Sequence, residues 1–107
     1  MDLHPSIETY FDADARGARD RLVAAFSPEA TVLDEGHTYS GRTAIGAWWA
    51  ETKARYRTTL QPLEVSHAGD TTAVRALATG DFPGSPAILT FLFWLQDNQI
   101  KALEIGA

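Results

Sequence analysis

The chain has 107 residues, the length of one ordinary domain that can bury a core without staples. Its 45% hydrophobic and 21% charged residues are those of a globular protein, and nine basic against fourteen acidic residues leave a net charge of −5, which argues against a nucleic-acid or anionic-membrane surface. The absence of cysteine excludes disulfides, thiolate chemistry and cysteine-type zinc sites.

In chain order, Leu3, Ile7, Tyr10, Phe11 and Asp14 recur at helical spacing and predict a first helix, with Pro5 in its opening turn and Gly17 as its terminator. A second short helix follows, with Leu22, Val23 and Phe26 inward, and Ser27-Pro28-Glu29 breaks it. Thr31 to Glu35 alternates as a strand and puts Val32 and Asp34 on one face. Gly36 to Gly41 reads as a turn. From there to about Arg55 the period is helical again, with Ile45, Trp48, Trp49, Thr52 and Tyr56 on one side.

The second half reads as strands. Thr58 to His67 is the first, and Pro62 within it points to a sheet edge or a bulge. Ala68-Gly69-Asp70 turns the chain into Thr71 to Asp81. Phe82-Pro83-Gly84-Ser85-Pro86 makes a wider turn. Ala87 to Leu95 and Ile100 to Ile105 complete the set, with Asp97-Asn98 between them. The order α-α-β-α-β-β-β-β, helices early and hairpins late, predicts a single α+β domain over residues 1–107 with a curved, mostly antiparallel sheet wrapped around N-terminal helices. The strand Ala87 to Leu95 is apolar on both faces, since Ile88, Thr90, Leu92 and Trp94 alternate with Leu89, Phe91, Phe93 and Leu95. The helices cover one side of a sheet, so a homodimer through the outer face is expected.

The chemistry-bearing residues are few. Asp34, a carboxylate on the inward face of a strand, and Tyr10, a phenol on a covering helix, suggest a small-molecule pocket. Asp14 shares the Tyr10 face at i+4. Trp48 and Trp49 lie 100° apart on their helix, and one of them is expected to form a wall for a flat apolar ligand. His37 and Tyr39 follow the Asp34 strand and are placed near the pocket mouth. Lys53, Arg55 and Arg57 read as a solvated helix end, and His67 as an exposed strand end. The histidines His4, His37 and His67 lack metal-ligand spacing, so no metal or organic cofactor is expected. The N-terminus lacks the basic-then-apolar pattern of an export signal, and no stretch is long enough to span a membrane, which makes the cytoplasm the expected location.

Three local patterns carry a family resemblance: Tyr10-Phe11-Asp12-Ala13-Asp14-Ala15-Arg16-Gly17, then Phe26-Ser27-Pro28-Glu29-Ala30-Thr31-Val32-Leu33-Asp34, then Tyr39-Ser40-Gly41-Arg42-Thr43-Ala44-Ile45 leading to Trp48-Trp49. With the element order, they resemble the SnoaL-like group of the nuclear-transport-factor-2-like superfamily over nearly the whole chain. The resemblance implies a cone: a curved sheet around helices, with a cavity at the open end. Ketosteroid isomerases share that fold and combine an aspartate base with an oxyanion hole made of a tyrosine and a protonated acid. Tyr10 resembles their tyrosine and Asp34 their base. The place of the protonated acid corresponds to Thr90, which departs from the pattern and puts steroid isomerisation by the full triad in doubt.

A carboxylate walled by apolar groups is a stronger base than one in water, as abstraction of a proton beside a carbonyl requires. The expected function is therefore cofactor-independent acid–base catalysis, of isomerase, cyclase or dehydratase type, on a small apolar carbonyl compound. Asp34 would move the proton and Tyr10 would hold the oxyanion, while Trp48 or Trp49, Tyr56, Thr90 and Leu92 would shape the pocket. Two other classes stay open: a binder of a hydrophobic metabolite, and a dimeric scaffold with a vestigial pocket.

Overall fold

The His4 side chain accepts a hydrogen bond from the Ser6 amide and starts helix α1 (Pro5–Arg16), and Gly17 ends it in the left-handed conformation at φ 67°. The computed structural model describes residues 2–107. Helix α2 (Arg19–Ala24) follows at once, and strand β1 (Phe26–Asp34) leaves it. The segment read as a turn contains a short strand, β2 (His37–Ser40), which pairs antiparallel with β1 from Thr31↔Ser40 to Asp34↔His37. Helix α3 (Arg42–Tyr56) comes next, then β3 (Thr59–Ala68), β4 (Thr71–Thr79), β5 (Ala87–Gln96) and β6 (Gln99–Gly106).

The six strands form one sheet in the order β2-β1-β6-β5-β4-β3. Every neighbouring pair is antiparallel except β1 with β6. That parallel pair closes the topology, because it brings the last strand between the first and the hairpin pair. The ladder slips between Phe26 and Thr31, where Ser27-Pro28-Glu29 interrupts it. Pro62 lies on β3, an edge strand, beside a second register shift, so both readings of that proline hold.

The helices pack on one face of the sheet. From α1 come Ile7, Tyr10 and Phe11; from β5 come Phe91 and Phe93, all nearly or fully buried. Their rings meet edge to face, Tyr10 with Phe93 at 5.6 Å and Phe11 with Phe91 at 5.4 Å between centroids. Helix α3 is anchored at both ends. The Arg42 guanidinium donates to the Phe26 carbonyl oxygen from Nε (3.0 Å) and Nη2 (2.7 Å), and the Gly41 amide donates to the Ala30 carbonyl (2.8 Å). At the other end, the Asp81 amide donates to the Tyr56 carbonyl, and a Cβ at Gly80 would stand 2.6 Å from that oxygen. Only glycine admits this approach, which ties the end of β4 to the end of α3. The inward side chains of α3 are thus held over the sheet. No helix of the described residues is long and apolar enough to cross a membrane.

Candidate active site

Between α1, α3 and the sheet lies a cavity of about 390 Å³. Tyr10, Asp14, Asp34 and Glu35 from the N-terminal half reach it. Tyr10 and Asp14 come from successive turns of α1. Asp34 is the last residue of β1, two positions beyond buried Val32 on the same face. Its position is set by a two-residue hairpin turn, Glu35-Gly36, in which both residues have positive φ (52° and 77°), as the turn that matches strand twist requires.

Helix α3 supplies the partners. Trp48 Nε1 donates to Asp34 Oδ2 at 3.0 Å, and Trp49 Nε1 donates to Asp14 Oδ1 at 2.8 Å. Both indoles therefore line the cavity, each with its N–H on a different carboxylate. The sequence expectation of one wall tryptophan is extended: a 100° offset suits two rings that serve two acids flanking one helix face. Lys53, one turn beyond Trp49, donates to Asp14 Oδ2 at 2.9 Å and to the Thr58 carbonyl at 2.6 Å. Asp14 is 5% exposed, and its carboxylate is satisfied on both oxygens. Asp34 is half-buried and holds only the Trp48 donor among the described residues.

Tyr10 is 2% exposed, yet its hydroxyl meets no protein partner among the described residues and is not sealed away as a buried orphan. It borders the cavity. Burial, then the negative charges of Asp14 and Asp34, push its phenol well above its ordinary value, so it remains a proton donor across the neutral range. Much of the remaining wall is apolar, with Leu60 and Ala78 from β3 and β4, Leu89 and Phe91 from β5 and Ile105 from β6, while Glu35, Thr52 and Thr58 add polar groups. Tyr56 lines it as expected and meets Phe82 of the β4–β5 loop edge to face at 6.3 Å. Among the described residues no three His, Asp or Glu side chains gather as a metal site.

Several expected site residues lie elsewhere. Thr90 and Leu92 belong to the outer face of β5, because the inward parity is that of Leu89, Phe91 and Phe93. The correspondence of Thr90 with the acid position in the isomerase resemblance therefore does not hold, because Thr90 is not on the cavity side of its strand. His37 is exposed on edge strand β2, outside the cavity lining. Tyr39 packs against Trp48 at 6.1 Å between centroids, and the indole occupies the cavity position in its place. Lys53 is the residue the sequence reading misplaced. It is no solvated helix end: its i+4 spacing from Trp49 puts it on the same face, opposite Asp14. Arg55 and Arg57 do remain outside, Arg55 over the Tyr56 ring at 5.3 Å and Arg57 exposed.

A buried phenol that meets no protein partner among the described residues, a carboxylate with one donor and an ammonium–carboxylate pair thus share one largely apolar cavity in a cone-fold domain. The SnoaL-like domain family matches residues 7–102, and the chain belongs to that family. It is similar to a Sinorhizobium meliloti protein proposed to be a polyketide cyclase: 43% identity, TM-score 0.95, 98% of this chain and 96% of that one covered. A Catenulispora acidiphila protein with a ketosteroid isomerase-like fold, solved with trimethylamine, is 20% identical (TM-score 0.85, 99% and 87% covered). A Xanthomonas campestris protein, also proposed to be a polyketide cyclase, is 21% identical (TM-score 0.78, 94% and 85% covered). At those lower identities the likeness is one of fold alone. No match occurs among proteins with curated descriptions.

Proposed function

We propose that the cavity binds a small, mostly apolar carbonyl compound and catalyses proton transfer beside the carbonyl without a cofactor. The observation that carries this reading is Tyr10: a buried phenol with no protein acceptor among the described residues, bordering the same cavity as Asp34. Such a hydroxyl fits a ligand oxygen as its acceptor. Asp34 takes the proton from the carbon next to the carbonyl, breaking the C–H bond, and the electron pair moves to the oxygen. The Tyr10 hydroxyl donates to that oxyanion. Where the ligand carries a β,γ double bond, the dienolate recovers a proton from Asp34 at its γ carbon and the double bond shifts into conjugation; otherwise the enolate carbon attacks a second carbonyl of the same molecule, and the new alkoxide takes the proton from Asp34. Trp48 holds Asp34 by one oxygen and leaves the other to act. The similarity to a proposed polyketide cyclase at 43% identity supports chemistry of this kind.

The apolar walls would equally suit a binder that leaves its ligand unchanged, and one experiment separates the two. Small ketones are incubated with the protein in D2O, and deuterium incorporation beside the carbonyl is read by mass spectrometry. Exchange by the wild type is expected, with a loss of about 10²- to 10⁴-fold in Asp34→Asn at retained affinity. Binding without exchange by the wild type would replace the catalytic reading with the binding one. Wild-type exchange rates in Asp34→Asn would end the role of Asp34.

A further inference from the structure

The proton-transfer scheme uses Tyr10, Asp34 and Trp48 and leaves the buried Asp14–Lys53 pair idle. We infer that Lys53 is a specificity-determining residue that binds a second, uncharged acceptor oxygen of the ligand, such as a carbonyl or hydroxyl. An ammonium carries three N–H donors. Asp14 and the Thr58 carbonyl take two of them, and among the described residues nothing accepts the third. Asp14, Lys53 and Thr58 all line the cavity, and the Lys53 side chain is 21% exposed, so water takes the third donor in the free protein and a ligand oxygen would replace it on binding. Stability alone does not require an ion pair here, because replacing a buried pair by apolar groups is often neutral or stabilising.

Charge sets the class of the oxygen. The Lys53 charge is already matched by Asp14, while Asp34 and Glu35 also line the cavity and leave it net negative. A carboxylate would meet repulsion that a neutral carbonyl or hydroxyl would not. The ligand is thereby narrowed from an apolar ketone to an oxygenated one, with one oxygen toward Tyr10 and a second toward Lys53. This rests on the carbonyl-binding reading but not on catalysis, so the test is one of binding.

The probes are 2-decalone and the regioisomeric decalindiones and hydroxy-2-decalones that carry a second oxygen, titrated by calorimetry against the wild type. At least one isomer is expected to bind about ten- to a hundredfold more tightly than 2-decalone, the range of a hydrogen bond from a charged donor. Lys53→Met alone strands a buried carboxylate, so the double variant Asp14→Asn/Lys53→Met is the cleaner partner; its asparagine side-chain oxygen would still accept from Trp49. In that variant the ratio of the isomer's affinity to that of 2-decalone should fall to about one, whatever the 2-decalone affinity itself does. An advantage that survives in the double variant, or wild-type binding blind to the second oxygen, would overturn the assignment to Lys53 and leave the ketone pocket standing. Failure of every probe, 2-decalone included, would overturn both.

Discussion

Lys53→Met offers the sharpest test of how the pocket is held together. The Asp14 side chain is 4% exposed and the Lys53 side chain 21%, so the pair is buried at its acidic end and partly wetted at its basic end. Removing the ammonium leaves the Asp14 carboxylate with the Trp49 donor alone and deprives the Thr58 carbonyl of its lysine. Stranding a buried charge costs roughly 3–5 kcal/mol, and partial solvent access at Lys53 favours the lower end, about 3 kcal/mol. For a domain of this size that is a fall in Tm of roughly 12–20 °C. Asp14→Asn/Lys53→Met removes both charges and keeps an oxygen for Trp49, so it should lie within about 1 kcal/mol of the wild type. The cycle completed by Asp14→Asn would then give a coupling of at least about 2 kcal/mol, larger by whatever Asp14→Asn itself costs. Urea unfolding followed by circular dichroism measures all four proteins. Lys53→Met within about 0.5 kcal/mol of the wild type, or a double variant as unstable as the single, would refute the view that Lys53 neutralises a buried acid.

Two further expectations concern Tyr10 and the outer sheet. The Tyr10 phenol is raised in the folded state, so its neutral form is favoured there; the stability this group sustains is intact below the ordinary value of 10.0 and is lost as pH rises from there toward the folded value. Tyr10→Phe should therefore flatten part of the alkaline fall in stability, measured by urea midpoints across alkaline pH, and an unchanged slope would contradict the burial argument. On the outer face, Ile88 is 43% exposed and is aligned on β5 with half-buried Leu92 and Trp94. We propose that a second copy of the chain covers this strip. Light scattering after size exclusion should give a dimer that Leu92→Arg dissociates, and a monomeric wild type at micromolar concentration would rule the proposal out.

Much of the fold could be read directly from the residues. The helical repeat of Ile7, Tyr10, Phe11 and Asp14, with Gly17 behind it, gave α1 to within a residue or two. The face of α3 through Ile45, Trp48, Trp49, Thr52 and Tyr56 was correct. Strand β2 was missed because a four-residue strand between glycines carries no periodicity of its own; its partner β1 makes it a strand. At the site, Tyr10, Asp14, Asp34 and Tyr56 reach the cavity as their faces implied. Thr90 and Leu92 do not, because a strand apolar on both sides has no pattern to say which side is inside.

What the sequence determined by itself was therefore local: which segments are helix or strand, and which residues share a face, because backbone periodicity is written in every few residues. Only the tertiary structure decided which face points inward and which side chains from distant segments meet. Trp48 finds Asp34 across fourteen residues, Trp49 finds Asp14 across thirty-five, and Lys53 becomes a cavity residue only because α1 brings a carboxylate beneath it. A lysine in a basic run looks solvated until a buried acid is placed opposite, and that placement depends on how α1 and α3 pack over the sheet, which no local period records.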